Sequence, residues 1–124
     1  MVGIVLLSHS AGLAEEVVAL ARQIAGADVP VAAAGGTEDG GLGTSLDKVG
    51  AAVESVDQGE GVVLIPDLGS SVLTARLLEE PGSVMIADVP FVEGAIAAAV
   101  AAGGGASLAA VLDAAEEART FRKL

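Results

Sequence analysis

Cysteine, tryptophan and tyrosine are absent from the 124 residues, and histidine occurs once. Without cysteine there are no disulfides, no thiolate nucleophile and none of the common zinc motifs. One histidine leaves too few nitrogen or sulfur ligands for a transition-metal site, so no metal is expected. The missing tryptophan and tyrosine also argue against a flavodoxin-like cofactor binder, which needs a ring to stack on a flavin. Basic residues are scarce too: six against seventeen acids give a formal net charge of −11. Such a surface repels nucleic acid phosphates and anionic membranes, so neither is an expected partner. It suits a basic protein partner, or simply serves solubility.

No basic segment precedes the first apolar run, and that run is short for a signal-peptide core, so a cytoplasmic location is expected. The uncharged stretch from Gly94 to Leu112 is long enough to cross a bilayer. Alanine dominates it, however, and Gly103-Gly104-Gly105 interrupts it, which reads as two short helices and a turn rather than a membrane span.

What is present is a chain 52% hydrophobic, with only 2% aromatic residues. Its length fits one domain spanning residues 1–124, with a core of Ala, Val, Leu and Ile packed closely between layers. The first apolar run, Val2 to Leu7, is continuous enough for a strand buried on both faces. Leu13, Val17, Leu20, Ala21 and Ile24 then recur at helical spacing behind a Ser10 N-cap, with Glu15 and Glu16 near the positive end of the dipole. Gly26-Ala27-Asp28 stops that helix. Val29 to Ala34 is a second strand, and Pro30 marks it as an edge. A glycine-dense acidic loop, Gly35 to Gly43, matches no nucleotide fingerprint. Glu38 and Asp39 at its tip read as solvated, or as a contact for a basic partner.

Thr44 or Ser45 caps a second helix carrying Leu46, Val49, Val53 and Val56. Gly61 to Pro66 is a third strand. Asp67-Leu68-Gly69-Ser70-Ser71 leads into a helix whose Val72, Leu73, Leu77 and Leu78 are expected to face inward, stopped by Pro81-Gly82. Ser83 to Ala87 is a short fourth strand. A helix with Phe91, Val92, Ile96 and Val100 follows, then a Ser107-capped helix with Leu108, Val111, Leu112 and Ala115. Arg119, Arg122 and Lys123 suit its C-terminal dipole.

Strands alternating with helices predict an α/β fold: a three-layer α/β/α sandwich around an open, mainly parallel sheet of about four strands in the order 2-1-3-4. Such sheets bind ligands at the carboxyl ends of strands where the strand order reverses, here between the first and third strands. Those ends carry His9 and Asp67. Asp67 accepting a hydrogen bond from one ring nitrogen would fix the tautomer and leave the other as a nucleophile for a phosphoryl group. Free N–H groups at helix starts and hydroxyls nearby supply phosphate donors. Ser10, Gly35, Gly36, Thr37, Gly69, Ser70 and Ser71 are the candidates. The plainer readings are a packed histidine, an Asp67 that shapes its turn, and serines that only cap helices.

Ser8-His9-Ser10, Ala34 to Thr37, Asp67-Leu68-Gly69-Ser70 and Pro90-Phe91-Val92-Glu93-Gly94, in this order, resemble the phosphocarrier subunit of phosphotransferase-dependent dihydroxyacetone kinase. That family has the mannose-type enzyme IIA fold, and the likeness runs over nearly the whole chain. The resemblance implies that His9 accepts a phosphoryl group from the histidine phosphocarrier protein HPr and passes it to ADP on the kinase's nucleotide subunit. The ATP so regenerated phosphorylates dihydroxyacetone. It also implies a homodimer, a separate phosphate donor, and ADP and Mg bound by the partner rather than by this chain. The rival readings are the IIA domain of a mannose-type sugar transporter, which shares fold and phosphohistidine, and a non-catalytic α/β interaction module.

Overall fold

The structure, a computed structural model, describes residues 1–124. Four strands, β1 (Gly3–Ser8), β2 (Val31–Gly35), β3 (Val62–Pro66) and β4 (Val84–Ile86), form one sheet in the order β2-β1-β3-β4. Every pairing is parallel, and order and orientation are those expected. β2 is an edge strand, as expected, although it begins at Val31, so that Pro30 lies just before it rather than within it. Five helices connect or follow the strands: α1 (Ala11–Ala25), α2 (Leu46–Val56), α3 (Ser71–Arg76), α4 (Phe91–Gly103) and α5 (Leu108–Glu117).

The strands sort their side chains by the two-residue period. Ile4, Leu6, Val63 and Ile65 face a core shared with α1, α4 and α5. Val5, Leu7, Val62 and Leu64 face a second core shared with α2 and α3. The central strands are covered on both sides, which is why their sequences are apolar throughout. Each fully buried Leu or Ile contributes about 1.5–3 kcal/mol.

The buried hydrophobic residues are all Val, Leu, Ile or Ala, and their small size decides which helix faces turn inward. α1 buries Ala14, Val17, Val18 and Ala21, while Leu13, Leu20 and Ile24 of the expected stripe are 43%, 40% and 55% exposed. α3 departs further. It ends at Arg76 and buries Ser71 and Ala75, and Leu73 and Leu77 point outward at 71% and 69% exposure, against the inward expectation. In α4 the buried face is Gly94, Ala95, Ala98, Ala99 and Ala102, with Val92 and Val100 exposed. Close approach to the sheet selects the small residues, so a stripe read from side-chain size falls on the wrong face.

The caps follow their physical roles. Ser10, Ser45 and Ser107 each accept an amide N–H of the first helical turn. Thr44 instead hydrogen-bonds Thr74 at 2.7 Å. Glu15 and Glu16 lie beyond the first turn of α1, and the last turn of α5 holds no basic residue, Lys123 pairing with Glu93 at 2.6 Å instead.

Gly35 closes β2 where the chain passes against the start of α1. A Cβ there would lie 2.5 Å from the Ser10 carbonyl oxygen and 2.8 Å from the Ala11 Cα. Both contacts are backbone and cannot swing aside. Gly35→Ala is expected to destabilise the fold by about 1–3 kcal/mol. Gly50→Ala, within α2 with nothing near the added carbon, is expected to stabilise by about 0.5–1 kcal/mol. Chemical denaturation of the two variants beside the parent checks both signs.

Candidate functional site

The β1 to β3 ladder brings two turns together. Leu7 pairs with Pro66 at the end of the register, and the Asp67 N–H donates to the Leu7 carbonyl at 2.9 Å, one step beyond the strand. His9 and Asp67, remote in sequence, therefore leave adjacent strand ends side by side. His9 Nδ1 lies 3.1 Å from Asp67 Oδ1, with the ring 26% and the carboxylate 8% exposed.

Asp67 is saturated with donors. Oδ2 accepts from the His9 backbone N–H at 3.1 Å and the Ser8 hydroxyl at 2.9 Å; Oδ1 faces His9 Nδ1, the Leu68 N–H at 2.8 Å and the Ser71 hydroxyl at 3.2 Å. Burial pushes the carboxyl pKa up, but the hydrogen bonds from His9, Ser8 and Leu68 outweigh it and hold the group below the usual value of 3.8. An ionised carboxylate only accepts, so Nδ1 carries the proton. In the neutral ring Nε2 is then bare and accepts from the Ser70 hydroxyl at 2.8 Å.

Ser70 occupies the N-cap position of α3, yet its side chain makes no capping bond. Its hydroxyl is turned to His9 instead. The N–H groups of Gly69 and Ser70 donate to no backbone or side-chain acceptor, nor do those of Ala11 and Gly12 at the start of α1. Donors thus remain on both turns that flank the ring.

Other expected phosphate donors are committed elsewhere. The Gly36 N–H binds the Ser8 carbonyl at 3.1 Å, and the Thr37 N–H binds the Gly41 carbonyl at 3.0 Å. The Thr37 hydroxyl donates to Asp39 and accepts from the Gly41 N–H. That bond, with the Gly41 N–H, holds the Asp39 carboxyl below its usual value, so Asp39 shapes its own loop. Ser71 is fully buried, its hydroxyl 2.7 Å from the Leu68 carbonyl. In this structure the donors of Gly36, Thr37 and Ser71 are taken up by bonds within the protein. Gly35 lies in β2, buried beneath Ser10. Ser10 keeps its own hydroxyl proton while its oxygen caps α1 and its N–H binds Ser8 Oγ. The glycine loop does adjoin the site, since the Gly43 N–H donates to the His9 carbonyl at 3.0 Å.

Two features escape sequence reasoning. Ser8 contacts Asp67 directly; its only signal was a polar residue closing an otherwise apolar strand. A cleft of about 430 Å³ opens beside Asp67 and Gly69, with Arg76, Glu79 and Asp88 on its walls. No group of three or more His, Cys, Asp or Glu side chains converges to hold a metal ion, and no helix is long and apolar enough to cross a membrane.

The fold has known counterparts. A family model described as "PTS system fructose IIA component" (EIIA-man) matches residues 3–112, and the chain belongs to this family of phosphotransferase-system IIA proteins. Curated relatives of this chain are named as dihydroxyacetone kinase subunits. Phosphoryl donor subunit DhaM of PEP-dependent dihydroxyacetone kinase 1 from Listeria innocua is 39% identical over 99 residues, 78% of each chain. The PTS-dependent phosphotransferase subunit DhaM of Lactococcus lactis is 34% identical over 111 residues, covering 88% of this chain and 89% of that one. DhaM of Providencia stuartii is 37% identical across 95% of this chain, which spans only 27% of that longer protein. The crystal structure of an unknown-function protein, EF1359, superposes with a TM-score of 0.81 at 30% identity, covering 94% of both chains.

Because the Asp67 carboxyl is depressed in the folded state, its stabilising contribution is complete above its ordinary value and is lost as pH falls through the folded value. Asp67→Asn is expected to lower the thermal midpoint at neutral pH. It should also flatten the decline between about pH 5 and pH 2. Melting curves across that range test both effects.

Proposed function

We propose that the chain is a phosphoryl relay in which His9 Nε2 accepts a phosphoryl group from phospho-HPr and delivers it to ADP on the nucleotide subunit of a dihydroxyacetone kinase. The observation that carries this reading is the division of the imidazole: Nδ1 held by Asp67 at 3.1 Å, Nε2 turned away from the carboxylate toward an exposed serine at 2.8 Å.

In the first step the Nε2 lone pair attacks phosphorus. The nitrogen–phosphorus bond to the donor histidine breaks as the new one forms, and that histidine keeps the electron pair. The His9 ring becomes cationic because Nδ1 retains its proton, and Asp67 stabilises this charge without taking the proton. In the second step a terminal phosphate oxygen of ADP attacks, and the bond to Nε2 breaks, returning the lone pair to the neutral ring. ATP leaves with the partner. The free N–H groups of Gly69 and Ser70 receive the phosphoryl oxygens, joined by the Ser70 hydroxyl once it swings off Nε2. Ser10 adds its hydroxyl from the other turn.

Nucleotide and metal belong to the partner subunit, in keeping with an acidic chain that has no phosphate-loop motif. The working form is a cytoplasmic homodimer. The relatives favour the kinase over a sugar transporter, since they are named as dihydroxyacetone kinase subunits. The exposure of the ring at the sheet's carboxyl edge favours a carrier over an inert interaction module.

Intact mass after incubation with phosphoenolpyruvate, enzyme I and HPr should show an acid-labile gain of one phosphoryl group, discharged when ADP and the nucleotide subunit are added. His9→Ala should fold and gain nothing. Asp67→Ala should slow uptake on the order of 10²-fold. Uptake by His9→Ala would refute the assignment, and discharge only by a sugar-transporter subunit would select that branch instead.

A further inference from the structure

Ser8 is the one polar side chain of β1 and is fully buried. A serine in such a place contributes little to packing, and its bonds explain it better. Its Oγ lies 2.9 Å from Asp67 Oδ2 and 3.0 Å from the Ser10 N–H. The amide can only donate, so the single hydroxyl proton must go to the carboxylate. Ser71 differs, because its proton has a nearer acceptor in the Leu68 carbonyl at 2.7 Å than in Asp67 Oδ1 at 3.2 Å. Ser8 is therefore the hydroxyl whose proton is committed to Asp67.

We propose that Ser8 is a positioning residue for phosphoryl transfer: it locks the rotation of the Asp67 carboxylate so that Oδ1 meets Nδ1 of His9, which keeps Nε2 bare. This rests on the reading of His9 as the phosphoryl acceptor. The lock works from the far oxygen. Oδ2 is gripped by the Ser8 hydroxyl and the His9 backbone N–H, at 2.9 and 3.1 Å, which fixes the plane of the carboxylate while Oδ1 faces the ring. Without Ser8, Oδ2 keeps one donor, the Ser10 N–H loses its acceptor, and the carboxylate, still tethered through Oδ1 by the Leu68 N–H and the Ser71 hydroxyl, turns about that oxygen and away from Nδ1. The ring then samples both tautomers, and in one of them Nε2 carries the proton and cannot attack phosphorus.

His9 is the only histidine, so its ring nitrogens are read directly in a 15N-histidine-labelled sample by long-range proton–nitrogen correlation. At a pH where the ring is neutral, the parent should show protonated Nδ1 and bare Nε2. Ser8→Ala should show averaged nitrogen signals and a phosphoryl uptake rate lower by roughly ten- to hundredfold, the scale for groups that orient a histidine through a partner. Its KM for phospho-HPr should be unchanged, and Ser8→Thr, which keeps the hydroxyl, should recover both signals and rate. Should Ser8→Ala not fold, Ser8→Cys, similar in size and a weak donor, carries the same readout. A folded variant with parental nitrogen signals would overturn the proposal, whatever its rate. The spectrum needs no phosphoryl donor, so a parent that takes up no phosphate refutes the carrier reading while the nitrogen signals still judge whether Ser8 governs the ring.

Discussion

One carboxylate joins the two halves of this site. Asp67 accepts donors from the turn after β1 and from the turn after β3, so the geometry of His9 depends on both turns at once. The cost of burying the charge is met by hydrogen bonds rather than by a basic side chain. That difference matters chemically. A lysine or arginine in the same place would spend the negative charge before the imidazole became cationic. Here the charge is delocalised over hydrogen bonds and still available to the ring.

The rest of the fold serves that pairing by rigidity. Parallel β1 and β3 run buried between two apolar cores, and their ends are in register to within one residue of the site. Small residues allow α1 and α4 to lie close on the sheet, and Gly35 lets the β2 turn pass beneath the start of α1. Close packing of this kind transmits little slack, which suits a site where a misplacement of about 1 Å costs roughly a hundredfold in rate.

Much of this was legible in the sequence. Apolar runs followed by helical patterns defined a parallel α/β sheet, and the topology then brought the ends of the first and third strands together, carrying His9 and Asp67. Less legible were the helix faces: Leu73 and Leu77 read as core but lie outside, because Ala75 and Ser71 fit against the sheet where leucines do not. Least legible were the hydroxyls. Serine and threonine before helices look alike in a sequence, yet Ser10 caps, Ser70 reaches His9, Ser71 turns inward and Thr37 closes its own loop. Ser70 takes its direction from a partner on another strand end, and the others choose among several local bonds that the same residue types can make, so no local pattern separates them. Ser8 belongs with them.

The central claim is that Asp67 reserves Nδ1 and leaves Nε2 to carry the phosphoryl group. It is tested most directly by phosphorylating a uniformly 15N-labelled chain and observing which ring nitrogen couples to phosphorus. Coupling to Nε2, with Nδ1 still bearing its proton, is the predicted result. Coupling to Nδ1 would require the ring to abandon Asp67 and would contradict the account.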